Sequence, residues 1–204
     1  MLENMTPSEL KLIEKLKQRN GNRATATDGG LHPRKAAAPV SLSAMQATER
    51  SLGFDLPEVV KSLYLNVGNG GFGPAYGIVG TKGGPKLDGN TLESCYKAML
   101  QLKKENPVWC WPQQLLPLAN LGCGMWLCVD CLYARLPMVL WDPNNLDSDL
   151  EDDEARENWG YSFWDQGLTI KAWLNGWIAG KDEPEPKWPS DAWTKKRLGF
   201  TLPK

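Results

Sequence analysis

Histidine is nearly absent from this 204-residue chain. Its single copy, His32, lies in residues 20–40, where Gly, Ala, Thr and Pro without periodicity predict a mobile connector. We therefore expect no Ser/His/Asp or Cys/His catalysis, because such a set would depend on one poorly anchored imidazole. The sequence leaves open a hydrolase function that uses paired carboxylates, because the chain has 24 acidic residues and a sequence gives no distances between them.

A long uninterrupted apolar run is also missing. Residues 106–129 carry no charge, but prolines, glycines and amide side chains interrupt them, which predicts buried core and no membrane span. Glu3 and Asn4 lie where a signal peptide would have a basic and then an apolar region, so we expect no export by that route. Five cysteines, an odd number, favour a reducing compartment over a disulfide framework. The expected location is the cytoplasm.

The cysteines do not form a complete zinc motif. Cys123, Cys128 and Cys131 lie near Cys110, but no second CxxC or histidine pair accompanies them. Cys128 and Cys131 also straddle the end of a predicted strand, where a separation of three tends to place side chains on opposite faces. Small buried hydrophobic side chains are favoured over a metal site, and we expect no cofactor.

Net charge is close to zero, at −1, but the charges are unevenly distributed. Residues 142–167, here called the acidic segment, hold nine acidic side chains and one basic side chain, a local charge of −8. Residues 1–50 have eight basic and five acidic side chains, a charge of +3. Two interpretations of the acidic segment stay open: a solvated loop that aids solubility, and an electrostatic attractant for a basic partner.

Tryptophan is the most abundant aromatic residue, with ten copies, and several lie close to these acids. An indole can serve a core or an interface, so we predict that the acids and the two flanking tryptophans together contact a partner. The predicted contact residues are Trp141, Asp142, Asp147, Asp149, Glu151, Asp152, Asp153, Glu154, Glu157 and Trp159.

The order of predicted elements indicates an α+β fold. Helices are predicted from capping signals and apolar periodicity at residues 6–19, 43–53, from 57 onward, 91–105 and 169–179. Strands are predicted at residues 76–79, 115–119, 125–130, 138–142 and 159–164, and the part of the acidic segment between the last two is predicted to be a loop. The helices lie mainly at the ends and the strands in the middle, with the sheet buried on at least one face. The tail is expected to wrap the surface.

Residues 68–73, GNGGFG, match the letters of a dinucleotide-binding loop. That loop must follow a strand and open a helix, whereas here a helical pattern precedes it and Pro74 follows it. A tight turn that needs positive φ angles is the better interpretation.

Residues 52–80, LGFDLPEVVKSLYLNVGNGGFGPAYGIVG, resemble the signature of the SUKH superfamily, which includes the fungal cell-wall-synthesis regulator and many bacterial immunity proteins. Further similar segments follow in the expected order: WPQQLLPLANLGCG at 111–124, CVDC at 128–131, VLWDPNN at 139–145 and SFWDQGLTIKAWLNGW at 162–177. The motif residues expected to be structural are Pro57, Gly68, Asn69, Gly70, Gly71, Gly73, Pro74, Trp111, Pro112, Gly122 and Trp173. The resemblance implies an α+β domain with helices packed on a mixed or mainly antiparallel central sheet, and no catalytic apparatus.

The resemblance also implies a domain organisation and a function. A single SUKH-like domain is expected at 43–180, between an N-terminal helix with a flexible connector at 1–42 and a Pro-rich tail at 181–204. Bacterial members typically bind and block a toxin domain, often a nuclease, that is encoded beside them. The expected function is therefore a non-enzymatic immunity protein with a basic toxin as partner, and without direct contact to nucleic acid or membrane. The alternative is a regulatory scaffold or peptide-binding module of the cell-wall-assembly-regulator type.

Overall fold

The computed structural model describes residues 5–21, 37–74, 76–181 and 185–202, and His32 with most of the predicted connector lies outside them. Within these residues the helices are α1 (Pro7–Gly21), α2 (Leu42–Leu52), α3 (Glu58–Ser62), α4 (Leu92–Met99), α5 (Asp152–Tyr161), α6 (Ile170–Ala179) and α7 (Asp191–Arg197). The strands are β1 (Leu115–Gly122), β2 (Met125–Asp130), β3 (Pro137–Trp141) and β4 (Phe163–Thr169). A π-helical turn, Leu63–Val67, continues α3.

The four strands form one antiparallel sheet in the order β1-β2-β3-β4. Trp126 on β2 pairs with Trp141 on β3, which in turn pairs with Phe163 on β4. Nearly every residue of β1 and β2 is buried, so helices and loops cover both faces of the sheet. The predicted α+β class, the buried sheet and its mainly antiparallel character are therefore confirmed.

Local capping signals explain where the long helices begin. Thr6 and Glu9 form the expected reciprocal cap of α1, because the backbone N–H of each donates to the other's side chain. The hydroxyl of Thr169 accepts from the N–H of Ala172 at 3.2 Å and starts α6, as predicted. The cap of α2 is Ser41, two residues before the predicted start, and its hydroxyl accepts from the N–H of Ala44.

The glycine-rich residues 68–73 form the predicted tight turn. Gly70 has φ +77°, and a Cβ there would lie 2.5 Å from the backbone nitrogen of Gly80. The predicted strand at 76–79 is wrong, since only Ile78 forms a single bridge to β1. The cause is that the turn itself occupies the backbone of Ile78, which accepts from Gly71 N–H and donates to Phe72 O.

The other family-motif residues have structural positions as well. Pro57 precedes the first turn of α3 as its cap, and the carbonyls of Pro74 and Pro112 accept hydrogen bonds that close turns. The buried Trp111 donates from Nε1 to the carbonyl of Leu115 at 2.7 Å. Gly68 has an extended φ, and the buried Asn69 accepts hydrogen bonds from Thr81. Positive φ angles occur at Gly71, Gly73 and Gly122, and Trp173 is buried on α6.

Three sequence-based predictions of local structure need correction. The helix predicted at 91–105 ends at Met99, because the following backbone hydrogen bonds change to the tighter i−3 pattern of a 3₁₀ turn, Leu102–Lys104. The acidic segment is not a single loop, since it contains α5. The strand predicted at 159–164 is displaced, because residues 159–161 end α5 and β4 runs from Phe163 to Thr169. The described tail, residues 185–202, includes α7 and joins β4 through a bridge between Lys187 and Asp165. None of the helices in the described ranges is both long and apolar enough to cross a bilayer.

Candidate partner-binding surface

Helix α5 presents most of the acidic side chains to solvent. Apart from Gly160, the buried residues of α5 that the structure describes are Ala155 and Trp159, four residues apart and both 0% exposed. Glu154 and Glu157 are exposed, and spacings of three and four residues place them on the same face as Tyr161. The result is a helix that is fixed by one large aromatic side chain and acidic on its outer surface.

The loop that precedes α5, residues 142–151, is fastened to that helix. Asn158 donates from Nδ2 to the carbonyl of Asn145 at 2.6 Å and accepts from the N–H of Asp147 at 3.1 Å. A second amide, Nδ2 of Asn106, donates to the carbonyl of Leu150 at 2.9 Å. These side chain to backbone bonds hold the acidic loop against the domain, so its carboxylates have defined positions.

The carboxylates differ in how much of their charge the chain itself uses. Asp142 and Asp147 each accept a backbone N–H two residues ahead, which stabilises the turns. Asp153 pairs with Arg156 at 2.7 Å, but both are exposed and such a pair contributes little. Within the described ranges, the side chain of Asp149 accepts one long bond, of 3.5 Å, from Ser148.

Three carboxylates remain available to a partner. Among the described residues, the side chains of Glu151, Glu154 and Glu157 have no hydrogen-bond or ion-pair partner, and all three are exposed. The side chain of Asp152, also predicted as a contact residue, lies outside the described part. The acidic surface is here defined as residues 147–157, and its negative charge is largely unneutralised.

The two tryptophans predicted to flank the partner are buried. Trp141 is 4% exposed and Trp159 is 0% exposed, so neither ring can contact a partner while the fold is intact. Trp159 stacks on Trp109 with ring centroids 6.2 Å apart, and Trp141 meets Trp111 edge to face at 5.3 Å. The prediction is corrected for a simple reason: these rings form the aromatic core beneath α5, and only the acids reach the surface.

Another group of aromatic side chains does reach the surface. Trp188 is 54% exposed, and its ring stacks on Trp164 at a centroid distance of 5.3 Å and contacts Tyr161 at 5.0 Å. We call Tyr161, Trp164 and Trp188 the aromatic platform. Sequence reasoning missed Trp188, which lies between Pro186 and Pro189 in a stretch without periodicity. Its only signal was a tryptophan placed between two prolines.

The cysteines and acidic residues do not form a metal or thiol site among the described residues. In the described ranges, no three His, Cys, Asp or Glu side chains are grouped in a way that could hold a metal ion. Burial raises the pKa of the Cys131 thiol to about 12 and that of Cys128 well above its ordinary value. Both thiols are therefore protonated at neutral pH, and the protonated form is a poor nucleophile and ligand.

An α+β domain with a fixed, largely unneutralised acidic surface has the features of a protein-binding module. Residues 39–158 match the model of the SMI1/KNR4 family (SUKH-1), and this match covers more than half of the chain. The chain therefore belongs to that family, which includes toxin immunity proteins. No curated protein matches it. The family match ends inside α5, so the aromatic platform lies beyond the matched residues.

Proposed function

We propose that this protein is an immunity protein that neutralises a cognate toxin domain by stoichiometric binding. The observation that carries the proposal is the acidic surface, whose carboxylates Glu151, Glu154 and Glu157 have no partner among the described residues. Membership of a family that includes toxin immunity proteins supports the same conclusion. The protein acts in the cytoplasm and by binding alone, without a catalytic step.

The partner is a basic protein, and a nuclease domain fits best. A nuclease must attract phosphates, so its substrate groove carries Lys and Arg side chains. An acidic surface steers such a groove toward itself and raises the association rate. Once bound, the carboxylates of α5 pair with the basic groups that nucleic acid would otherwise contact. The toxin is therefore blocked without a chemical reaction.

The fixed position of the acidic surface supports tight binding. Asn158 already holds the loop, and Trp159 holds the helix. Little conformational entropy is therefore lost when the partner docks, and preorganisation of this kind favours affinity.

Co-expression tests the proposal. The toxin domain encoded beside this gene is produced in a host whose growth it stops, with and without this protein. We expect restored growth, and a complex of one copy of each protein on a sizing column. Absence of both the rescue and the complex would contradict the proposal.

A regulatory scaffold is the second candidate. The match to a family model named for SMI1 and KNR4 favours it, because the family also contains regulator domains. On that candidate the acidic surface would recruit a basic peptide or a signalling protein. Recovery of an endogenous regulatory partner, from a cell whose genome has no toxin gene nearby, would support it over the immunity function.

A further inference from the structure

The aromatic platform is an exposed apolar surface with no evident structural need to be exposed. Trp188 is the most exposed large hydrophobic side chain in the described ranges, at 54%. One exposed apolar residue is ordinary, but Trp188 adjoins two half-buried rings, Tyr161 and Trp164, and contiguous apolar surface of this kind is typical of an interaction site. Tyr161 is also the last residue of α5, so the platform is continuous with the face that carries Glu154 and Glu157.

The platform is held in place before any partner arrives. Lys187 and Asp165 exchange backbone hydrogen bonds, of 2.5 and 3.0 Å, which joins the tail to the edge of β4. Pro186 and Pro189 restrict the backbone on either side of Trp188. A ring that is already ordered loses little freedom on binding, which favours its use as an anchor.

Elsewhere the chain places a cation over an aromatic ring. The Arg19 guanidinium lies 4.5 Å from the ring centre of Trp177, and the Lys196 ammonium lies 4.5 Å from that of Tyr133. Within the described ranges, no such cation lies over the three rings of the platform. Trp164 covers one face of the Trp188 ring, and the exposed part of that ring is therefore available to a cation from outside.

We propose that the platform seats an arginine side chain of the basic protein partner, with Glu154 and Glu157 beside it to pair further basic groups. This inference rests on the proposed function, since it names how that partner is held. Charge complementarity selects the occupant: an apolar partner would gain nothing from the adjacent carboxylates, and an acidic partner would be repelled. Arginine is favoured over lysine because a planar guanidinium stacks on a ring and also pairs with carboxylates through two bonds.

A peptide titration tests the platform without the toxin. The probes are GRGRG, the lysine peptide GKGKG and an uncharged analogue with citrulline in place of arginine, each added to the full chain. The readout is the NMR signal of the indole N–H of Trp188, assigned with Trp188→Phe. We expect GRGRG to shift this signal and to bind at least fivefold more tightly than the citrulline peptide, with lysine between them. Equal binding of arginine and citrulline peptides, or an unshifted Trp188, would overturn the proposal.

Variants identify the contribution of the ring itself. Trp188→Leu keeps an apolar side chain without a π face, and we expect about tenfold weaker binding of GRGRG. Trp188→Phe should retain most of the affinity. Leu132→Ala is the control, because Leu132 is also exposed, at 44%, but belongs to neither the platform nor the acidic surface. The wild-type titration decides the question even if Trp188→Leu folds poorly.

The two proposals can fail separately. If co-expression gives neither rescue nor complex while GRGRG still binds at Trp188, the immunity function is wrong and the cation site stands. If the toxin binds the wild type and Trp188→Leu with equal affinity, the immunity function stands and the platform is not its anchor.

Discussion

Arg197 on α7 and Asp130 at the end of β2 form a buried ion pair, with Nε of Arg197 2.9 Å from Oδ2 of Asp130. Their side chains are only 4% and 0% exposed. Trp193 donates to the same carboxylate oxygen at 3.3 Å, and Arg197 also donates to the carbonyl of Gln113. This network fastens the C-terminal tail to the sheet, and the tail carries Trp188.

Loss of the arginine should cost much of the stability. Arg197→Met leaves Asp130 buried without its counter-charge, and we expect the free energy of unfolding to fall by about 3–5 kcal/mol. Denaturant unfolding measures the change. The double variant Arg197→Met with Asp130→Asn should recover part of the loss, while Lys195→Met, at an exposed position of the same helix, should change little. Equal effects of Arg197→Met and Lys195→Met would show that the pair is unimportant.

The stability that Arg197→Met loses relative to wild type should depend on pH with a definite sign. Burial raises the pKa of Asp130 above its ordinary value, and Arg197 opposes that rise. Without Arg197 the pKa rises further. A carboxyl whose folded pKa is raised stabilises the fold below its unfolded pKa, and this stabilisation is lost as pH rises through the folded pKa. The deficit of Arg197→Met relative to wild type should therefore shrink between pH 7 and pH 4. A deficit that grows on acidification would contradict this.

Neutralising two exposed carboxylates of α5 should slow association with the toxin domain. For Glu154→Gln with Glu157→Gln we expect an association rate constant about three- to tenfold lower at low salt, and a flatter dependence on ionic strength. The dissociation rate should change less. Stopped-flow kinetics measure both. Glu14→Gln with Asp55→Asn makes the same change in net charge away from α5, and an equal effect there would exclude local steering.

Asn158 should control the order of the acidic loop. Asn158→Ala removes the bonds to Asn145 and Asp147, and we expect about 1–2 kcal/mol lower stability. Amide hydrogen exchange at Asp147 should become faster, because its N–H loses its acceptor. Asn175→Ala is the matched control, since Asn175 bonds only a carbonyl of its own helix and is exposed. Unchanged exchange at Asp147 would show that the loop is held by other contacts.

Gly70 should tolerate no side chain. A Cβ there would lie 2.5 Å from Gly80 N and 2.8 Å from Ile78 O, at a φ of +77°. Gly70→Ala is expected to destabilise the fold by more than about 3 kcal/mol, because the neighbouring backbone must move and the alanine must adopt a strained φ. Gly53→Ala has a similar φ but open space around it, and should cost about 1 kcal/mol. Thermal unfolding compares the two, and similar losses would argue against the close approach.

Local signals explain what could be predicted from the sequence. The bounds of β2 and the caps of α1 and α6 depend on residues within a few positions of one another, so pattern and capping chemistry located them. Helix α5 escaped prediction because, among its described residues, Ala155 and Trp159 are the only buried ones with a side chain, too few for a periodicity. Its order comes from tertiary contacts with distant tryptophans.

The candidate site illustrates the same limit. The acids of 142–157 could be found by counting charge. The tryptophans that accompany these acids at the surface could not be identified in that way. Trp159 packs inward on Trp109, whereas Trp188 contacts Trp164, which lies 24 positions earlier in the chain. Only a fold that brings the tail back to β4 creates the platform.

Hydrogen exchange of the complex tests the central claim most directly. This protein is measured by mass spectrometry alone and bound to the toxin domain that the proposed function requires. Binding through the acidic surface predicts slower exchange in residues 145–161 and 185–190, with α2 unchanged. Slower exchange confined to α1 or α2, with none at α5, would contradict it.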